Sequence, residues 1–385
     1  MRSFVISLIV ATMVATVGAS LTGCSGSTAG HAKSQEVDLA SLDVGNYETT
    51  PPDGGLGNSG SDEVGRLLDA QRLANFVVDP VEVDDALRRG VSPTYVIRNA
   101  PSLAIDGGVF TAKAATPAVK YSMRYGFAAS RATERNDRVM TIAVFVFSTS
   151  DDAKGAADEF AAAEQASDTS AKPVPLSTYP DARAVASDAR IAVYYPKDRL
   201  LYYQSYKGSD LVKTAELTLA EQLPLLAEFT PTDWSKTEAI PRDREGMLAR
   251  TLRADEPSSN EDAVLDLAGI EHFLIHPKEI KAALERAGVD LAAVSETRVY
   301  RAKDAAAAQK FQHELADAYP TELREIDPPP GLATAQCFEN TDDTLNDRFA
   351  CFGSRGRYAF SLGSGQRNDA YQQAAAQYAL LVNSE

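Results

Sequence analysis

The chain has 385 residues, with 54 acidic against 38 basic side chains and a formal charge of −16. Its length exceeds a usual single domain, and with 44% apolar residues it can bury two cores. The acidic balance, with no basic run to offset it, argues against nucleic-acid binding and against electrostatic docking on anionic lipid.

Arg2 is followed by the apolar stretch Phe4 to Val17, which is too short to cross a membrane. Then comes Leu21-Thr22-Gly23-Cys24. Small residues at Thr22 and Gly23 let a peptidase approach the backbone just before the cysteine, the pattern of a bacterial lipobox. Residues 1–23 are therefore expected to be a lipoprotein signal peptide, with Cys24 the lipidated first mature residue. A diacylglyceryl group on Cys24, with palmitate-like chains, anchors stably at ~0.8 kcal/mol per buried CH₂. The expected location is the outer face of the cell membrane, and the expected membrane contact is through that lipid. Removing residues 1–23 takes away only Arg2 and leaves the remainder near −17. Residues 24–35, rich in Ser, Gly, Ala and Thr, predict a flexible tether.

Next, Gly55-Leu56-Gly57-Asn58-Ser59-Gly60 matches a dinucleotide fingerprint by spacing. A working fingerprint follows a buried strand. Pro51-Pro52 forbids one here, so the segment reads as a loop.

The chain then repeats itself. Leu73-Ala74-Asn75-Phe76-Val77-Val78-Asp79-Pro80 is followed by Glu82, Val83, Ala86, Leu87, Arg89 and Gly90. At a spacing of 197, Ile270-Glu271-His272-Phe273-Leu274-Ile275-His276-Pro277 is followed by Glu279, Ile280, Ala283, Leu284, Arg286 and, one residue late, Gly288. Pro at the first helical position and apolar residues at i, i+3 and i+4 predict the same short helix twice.

A strand over Val139–Phe147 leads to an Ala-rich helix from near Asp151, with Ala156, Phe160 and Ala163 on one face. Its counterpart is a strand over Thr297–Tyr300 and a helix over Asp304–Ala318, with Ala308, Phe311 and Leu315 inward. Paired strands follow in each copy, Ile191–Tyr195 with Leu200–Tyr206, and Arg348–Phe352 with Arg357–Leu362. Each pair leads to a closing helix, Leu211–Phe229, kinked at Pro224, and Asp369–Val382. In the last helix Tyr371, Ala374, Ala375, Tyr378 and Leu381 form a core stripe. The predicted class is α+β: two duplicated modules, each an antiparallel sheet with helices packed on one face. The first spans 36–235 and the second 236–385, divided where Pro231, Trp234 and Pro241 break the periodicity. The spacing drops to 153 where Phe147 answers Tyr300, so the first copy holds an extra segment near 92–137. That segment, with Tyr121 and Tyr125 in a run read as added strand, is a candidate binding element.

The lipobox, the opening Val37-Asp38-Leu39 to Gly45-Asn46-Tyr47, the segment Gly65-Arg66-Leu67-Leu68 and the run Val299-Tyr300-Arg301-Ala302-Lys303-Asp304 carry a resemblance. Over most of its mature length the chain resembles a family of actinobacterial lipoproteins of unknown function. The resemblance implies an envelope location and no activity or catalytic residue.

No G-x-S-x-G, S-x-x-K, C-x-x-C or H-E-x-x-H pattern is present. His272 and His276 lie four apart, but the repeat puts Asn75 and Asp79 in their places, and Phe273-Leu274-Ile275 between them is β-like, which separates the rings. Asp342, Asp343 and Asp347 lack the glycine of a calcium loop. Neither metal nor cofactor is therefore expected. Tyr194, Tyr195, Tyr202, Tyr203 and Tyr206 lie on adjacent strands whose residues alternate in face. Some are expected in the core and some at a surface for partner contact.

With Cys24 consumed by lipid, Cys337 and Cys351 remain. Opposed on two strands in an oxidising compartment, they predict a disulfide. The functional expectation is a non-enzymatic envelope lipoprotein that binds a small molecule or an envelope protein, with the space between its halves a candidate site. The alternatives are an exported carboxylate-based hydrolase with its site in an inter-domain cleft, and a structural spacer.

Overall fold

The computed structural model describes residues 37–385 except Asp106, Glu256, Ile275, His276, 319–322 and 342–346. The signal segment, Cys24 and the tether therefore lie outside the described residues.

The chain opens with a 3-10 turn at Leu39–Ser41 and then α1 (Asp62–Leu73), whose N-terminus is capped by the Ser61 hydroxyl accepting from the Val64 N–H. After α2 (Pro80–Val83) come β1 (Arg89–Gly90), β2 (Tyr95–Ile97), α3 (Thr116–Lys120), β3 (Met123–Ala132) and β4 (Val139–Phe147). Then follow α4 (Ser150–Ser167), β5 (Lys172–Val174), β6 (Arg183–Ala186), β7 (Arg190–Lys197), β8 (Leu200–Lys207) and α5 (Leu211–Glu228). The second half runs β9 (Ala263–Asp266), α6 (Leu267–Glu271), α7 (Pro277–Ala287), β10 (Leu291–Val294), β11 (Arg298–Arg301) and α8 (Ala305–Asp317). It closes with β12 (Leu323–Ile326), β13 (Gln336–Asn340), β14 (Phe349–Arg355), β15 (Tyr358–Ser364) and α9 (Arg367–Val382).

The two antiparallel sheets repeat one topology. The first is ordered β1-β3-β4-β8-β7-β6-β5, with β2 also on β3; the second, β9-β10-β11-β15-β14-β13-β12. From β3 and β10 onward the six strands match one for one, and α4 and α8, then α5 and α9, leave the sheets at the same points. Of the extra segment near 92–137, β3 has a counterpart in β10; the part without one narrows to about 92–122. Tyr300 lies opposite Ala359 as Phe145 lies opposite Leu201, so Tyr300 answers Phe145, two residues from the match read in the sequence. Side chains two apart share a face, which is why the pattern was blind to the slip.

The class is α+β with two antiparallel sheets, as expected, but helices cover both faces of each sheet rather than one. Phe127, Ile142, Val144 and Val193 face one core with Ala215 and Leu219 of α5. Phe145, Ala192, Tyr194 and Leu201 face another with Ala156 and Phe160 of α4. In the second sheet Tyr300, Ala350, Phe352 and Ala359 join the first of these cores, together with Phe311 and Leu315 of α8, while α9 packs against β14 and β15. Equivalent residues thus go to different cores: Ala192 to the outer one and Ala350 to the shared one.

The duplicated helix differs between copies. α2 ends after four residues where Asp84 turns out and accepts from the Ala86 N–H, 3.0 Å; the second copy has Lys281-Ala282 there and α7 runs on for 11 residues. The β-like reading of Phe273 and Leu274 is not realised: both follow α6 in a turn, with their N–H groups bonded to Ile270 and Glu271 carbonyls at 3.0 and 3.1 Å. α5 continues through Pro224.

The halves are joined by a sealed polar knot. Arg131 donates through Nη2 to Asp79, 2.8 Å, and to the Glu271 carbonyl, 2.8 Å, with only 1% of the arginine exposed. His272, at the place of Asn75, shares a 3.1 Å hydrogen bond between Nε2 and the Ala74 carbonyl. Burial pushes the Asp79 carboxyl up, but the adjoining His272 and Arg131 outweigh that and hold it well below its ordinary value. Cys337 and Cys351 are opposed in register and bridged. Closing that 14-residue separation restricts the unfolded chain by about 3 kcal/mol in the loop-entropy account. Ala184 opposite Val193 occupies the equivalent place in the first copy.

Candidate functional site: an acidic cleft beneath an N-terminal strap

Residues 38–53 cross the outer side of α9 as a strap. Asp43 accepts two hydrogen bonds from the Gln372 amide, 3.1 and 3.0 Å. Gly45 follows at φ +57°, where an added Cβ would lie 2.7 Å from Gln372 Oε1; glycine meets both the conformation and the approach. Val44 and Tyr47 then pack on Leu252, Ala376 and Leu380. The Tyr47 hydroxyl donates to Asp369 Oδ1, 2.7 Å, and Asn383 Nδ2 donates to the Thr49 carbonyl, 2.7 Å.

The opposite wall is the stretch 248–255, fixed by side chains rather than by a sheet. The Asp243 carboxylate accepts from Leu248 and Ala249 N–H groups, both 2.9 Å. Leu252 N–H donates to Gln377 Oε1, 3.0 Å, and Gln377 Nε2 to the Arg250 carbonyl, 2.8 Å. Between strap and wall lies a cleft of about 1150 Å³.

Its lining carries Glu48, Asp53, Asp255, Glu296 and Asp369 against Arg253. Asp369 is well supplied, accepting from Tyr47, from Ser364 Oγ at 2.7 Å and from Gln373 Nε2 at 2.9 Å. Glu296 accepts from that same amide nitrogen at 3.2 Å and makes no ion pair among the described residues. Partial burial and the nearby Asp369, Glu261, Asp255 and Asp347 carboxylates raise the Glu296 carboxyl above its ordinary value. Burial and the Asp369 contact push the Tyr47 phenol up to about 12. Gln373 is 1% exposed, and its Oε1 has no hydrogen-bond donor.

A second hollow, about 540 Å³, lies beside Arg324, Arg367 and Tyr371. Arg324, Arg348 and Arg367 converge on Glu339, but Glu325 and Asp327 in the same lining cancel the surplus charge.

Of the seven tyrosines named as ligand or partner candidates, most are core. Tyr125, Tyr194, Tyr202, Tyr203 and Tyr206 are buried, and burial raises each phenol. Tyr194 and Tyr203 pack ring to ring at 5.2 Å beneath α4; the Tyr125 hydroxyl donates to buried Asp69. Both faces of the first sheet are covered, so alternation leads to two cores instead of a core and a surface. Tyr195 and Tyr121 are half-buried, Tyr195 against Tyr179 at 6.3 Å and Tyr121 donating to Glu159 at 2.9 Å. The structure does not bring the seven together. The extra segment is itself a lid, with Ile97, Ala100, Leu103 and Ala118 in the outer core. Between the halves, the Arg131 knot is filled, with Arg131 and Asp79 both buried. Gly55–Gly60 is a loop, with Gly55, Gly57 and Gly60 at positive φ. Among the described residues no group of three or more His, Cys, Asp and Glu side chains could hold a metal; His276, Asp342 and Asp343 lie outside them.

Sequence reading missed the cleft because its walls come from three distant segments. One available signal was Gln373 and Gln377, two amides on the buried side of an Ala-rich helix.

Two family models cover most of the chain: the N-terminal part of a domain of unknown function, DUF7373, over 56–242, and its C-terminal part over 247–384. The chain belongs to the DUF7373 family. The family description assigns no activity. No curated protein matches it. The extracellular domain of PknH from Mycobacterium tuberculosis aligns at 11% identity over 42% of this chain and 97% of that one, with a TM-score of 0.29, too low to establish a common fold.

Proposed function

We propose that this DUF7373 protein is an extracytoplasmic binding protein, held at the membrane by a diacylglyceryl group on Cys24, whose ligand enters the cleft beneath the strap. The observation that carries the binding reading is the cleft itself: about 1150 Å³, walled by hydrogen-bonded loops, and lined by several carboxylates with one arginine. Export is supported by the lipobox residues and by the Cys337–Cys351 bridge, a bond that persists outside the reducing cytosol. A binding role is preferred to a carboxylate hydrolase because the Gln373 amide stands between Glu296 and Asp369. Between that pair, it fills the place a glycosidic bond and its water would need.

Two variants test the reading. Cys24→Ala should abolish lipid labelling and leave the precursor uncleaved; normal labelling would remove the anchor. Thr50→Trp places an indole from the exposed strap into the cleft without touching a core. Thermal-shift screening with cationic, neutral and anionic small molecules and peptides should find stabilising compounds for the natural chain and lose them in Thr50→Trp. If no compound of any charge stabilises the natural chain, the cleft is not a ligand site.

A further inference from the structure

We propose that two copies of this chain exchange straps, the strap of each lying on α9 of the other, and so form a dimer. The proposal goes beyond the ligand reading and uses none of it.

The groove on α9 specifies its occupant, because the strap already fills it. Every residue of α9 from Gln373 to Leu381 is buried, about two and a half turns, so the helix is covered all the way round. On the outer side that cover is Val44 and Tyr47, packed on Leu252, Ala376 and Leu380. A strap that merely lifted away would return this apolar surface to water. A replacement has to meet the same fixed points in order: Gln372 with a carboxylate, Asp369 with a hydroxyl and Asn383 with a backbone carbonyl. It also needs a glycine where the chain passes Gln372. The strap of a second copy meets all of them by identity.

The strap is also built to leave. These hydrogen bonds are made through side chains, without strand pairing, and the strap joins the body through the exposed run Pro52-Asp53-Gly54-Gly55. Gly54 and Gly55 sit at positive φ with open space around them. The chain is fixed again at Gly57, whose carbonyl accepts from the Arg242 N–H at 3.0 Å, and at Ser59, whose N–H donates to the Ile240 carbonyl at 2.8 Å. Residues 52–56 extended reach about 17 Å. Swinging this hinge moves the strap, leaves α1 in place and reproduces every contact on α9, the low-cost route by which identical elements swap. Within one chain the tethered strap has an effective concentration on the order of mM. The single chain therefore prevails in dilute solution and exchange grows with crowding. The proposed Cys24 anchor, which confines copies to one plane, favours it.

Gly45 supplies a trap. A Cβ there lies 3.4 Å from the Gln372 Cβ, close to the roughly 3.5 Å lower end of the disulfide range. Chains spanning residues 24–385 with Cys24→Ser are made with Gly45→Cys, with Gln372→Cys, and with both. The double variant should close a bond within one chain. The two single variants, mixed under mild oxidation, should form a chain-to-chain bond at least tenfold in excess of either alone. A Gly45→Cys strap collides with its own Gln372, 2.7 Å from Oε1, and is relieved in a Gln372→Cys groove, so the mixture collects even rare exchange. A second measurement reads the natural groove: a labelled peptide of residues 37–53 should bind saturably to the Tyr47→Ala chain, whose own strap is weakened, and at least tenfold more weakly to the natural chain. A double variant that closes while the mixture gives no chain-to-chain bond overturns the exchange, as does a peptide that binds neither chain. If the double variant does not close, the peptide alone decides. No ligand is read in either experiment, so their failure leaves the cleft reading standing.

Discussion

On the outer face of the first copy, residues 92–122 lay Ile97, Ala100, Leu103 and Ala118 over the α4 side of the sheet, and Phe110 stacks on Phe160 at 4.8 Å. On the outer face of the second copy, the strap lays Val44 and Tyr47 on α9, buries Leu42, and is held for the rest by polar contacts to Asp369, Gln372 and Asn383. One cover is apolar and closed; the other is polar and leaves a cleft. The strand order beneath is the same, so the scaffold does not decide where a site forms. The chemistry of the cover does.

The comparison presupposes a common middle, and the harshest way to break it is to attack the knot. Asp79→Ala leaves the Arg131 guanidinium buried without its carboxylate, and a loss of about 3–5 kcal/mol is expected by urea denaturation. The effect has a pH signature. The folded Asp79 carboxyl is held below its ordinary 3.8, so the stability it supplies is present above that value and is lost as pH falls through the folded one. The gap between natural chain and variant should therefore narrow below about pH 4. A gap under 1 kcal/mol at pH 7 would mean that the Arg131–Asp79 pair adds little to the stability of the knot.

The closed cover is tested next. Leu103→Ala should cost about 2–5 kcal/mol, because Leu103 is fully buried in the outer core. A loss below 1 kcal/mol would show that the extra segment is not a seal. The strap should yield the smallest effect: Tyr47→Phe removes one hydrogen bond to Asp369, and about 1 kcal/mol or less is expected at this partly exposed position. Its readout is local, namely faster amide exchange over 43–50 with little change in melting temperature. Exchange unchanged there would mean that the apolar contacts of Val44 and Tyr47 suffice to hold the strap.

Most of the sheet architecture was legible because strand pairing and helix periodicity are local. Val139–Phe147 and Leu200–Tyr206 read as strands and are strands, and the expected opposition of Cys337 and Cys351 is found in register. What failed depended on packing between distant segments. Alternation in Tyr194, Tyr195, Tyr202 and Tyr203 marks two faces but cannot say whether the second meets water or another helix. The cleft was illegible for the same reason, since Tyr47, Glu296 and Asp369 are brought together only by the tertiary fold. The Asn75 match at His272 did not reveal its partner either: His272 hydrogen-bonds the Ala74 carbonyl of the other half.

The opposite-face packing of the two copies has an architectural consequence. Had both used the same face, the chain would be a covalently linked two-fold pair, closed on itself. Here the first copy offers its α5 side and the second its α8 side to the shared core, a head-to-tail contact. Such contacts do not close. They leave one unused sticky end at each terminus of the stack, and without a stop the series could extend from molecule to molecule into a fibre. Residues 92–122 and the strap stand at those two ends. They bury those two outer faces, the first under apolar side chains and the second under a cover that leaves the cleft open.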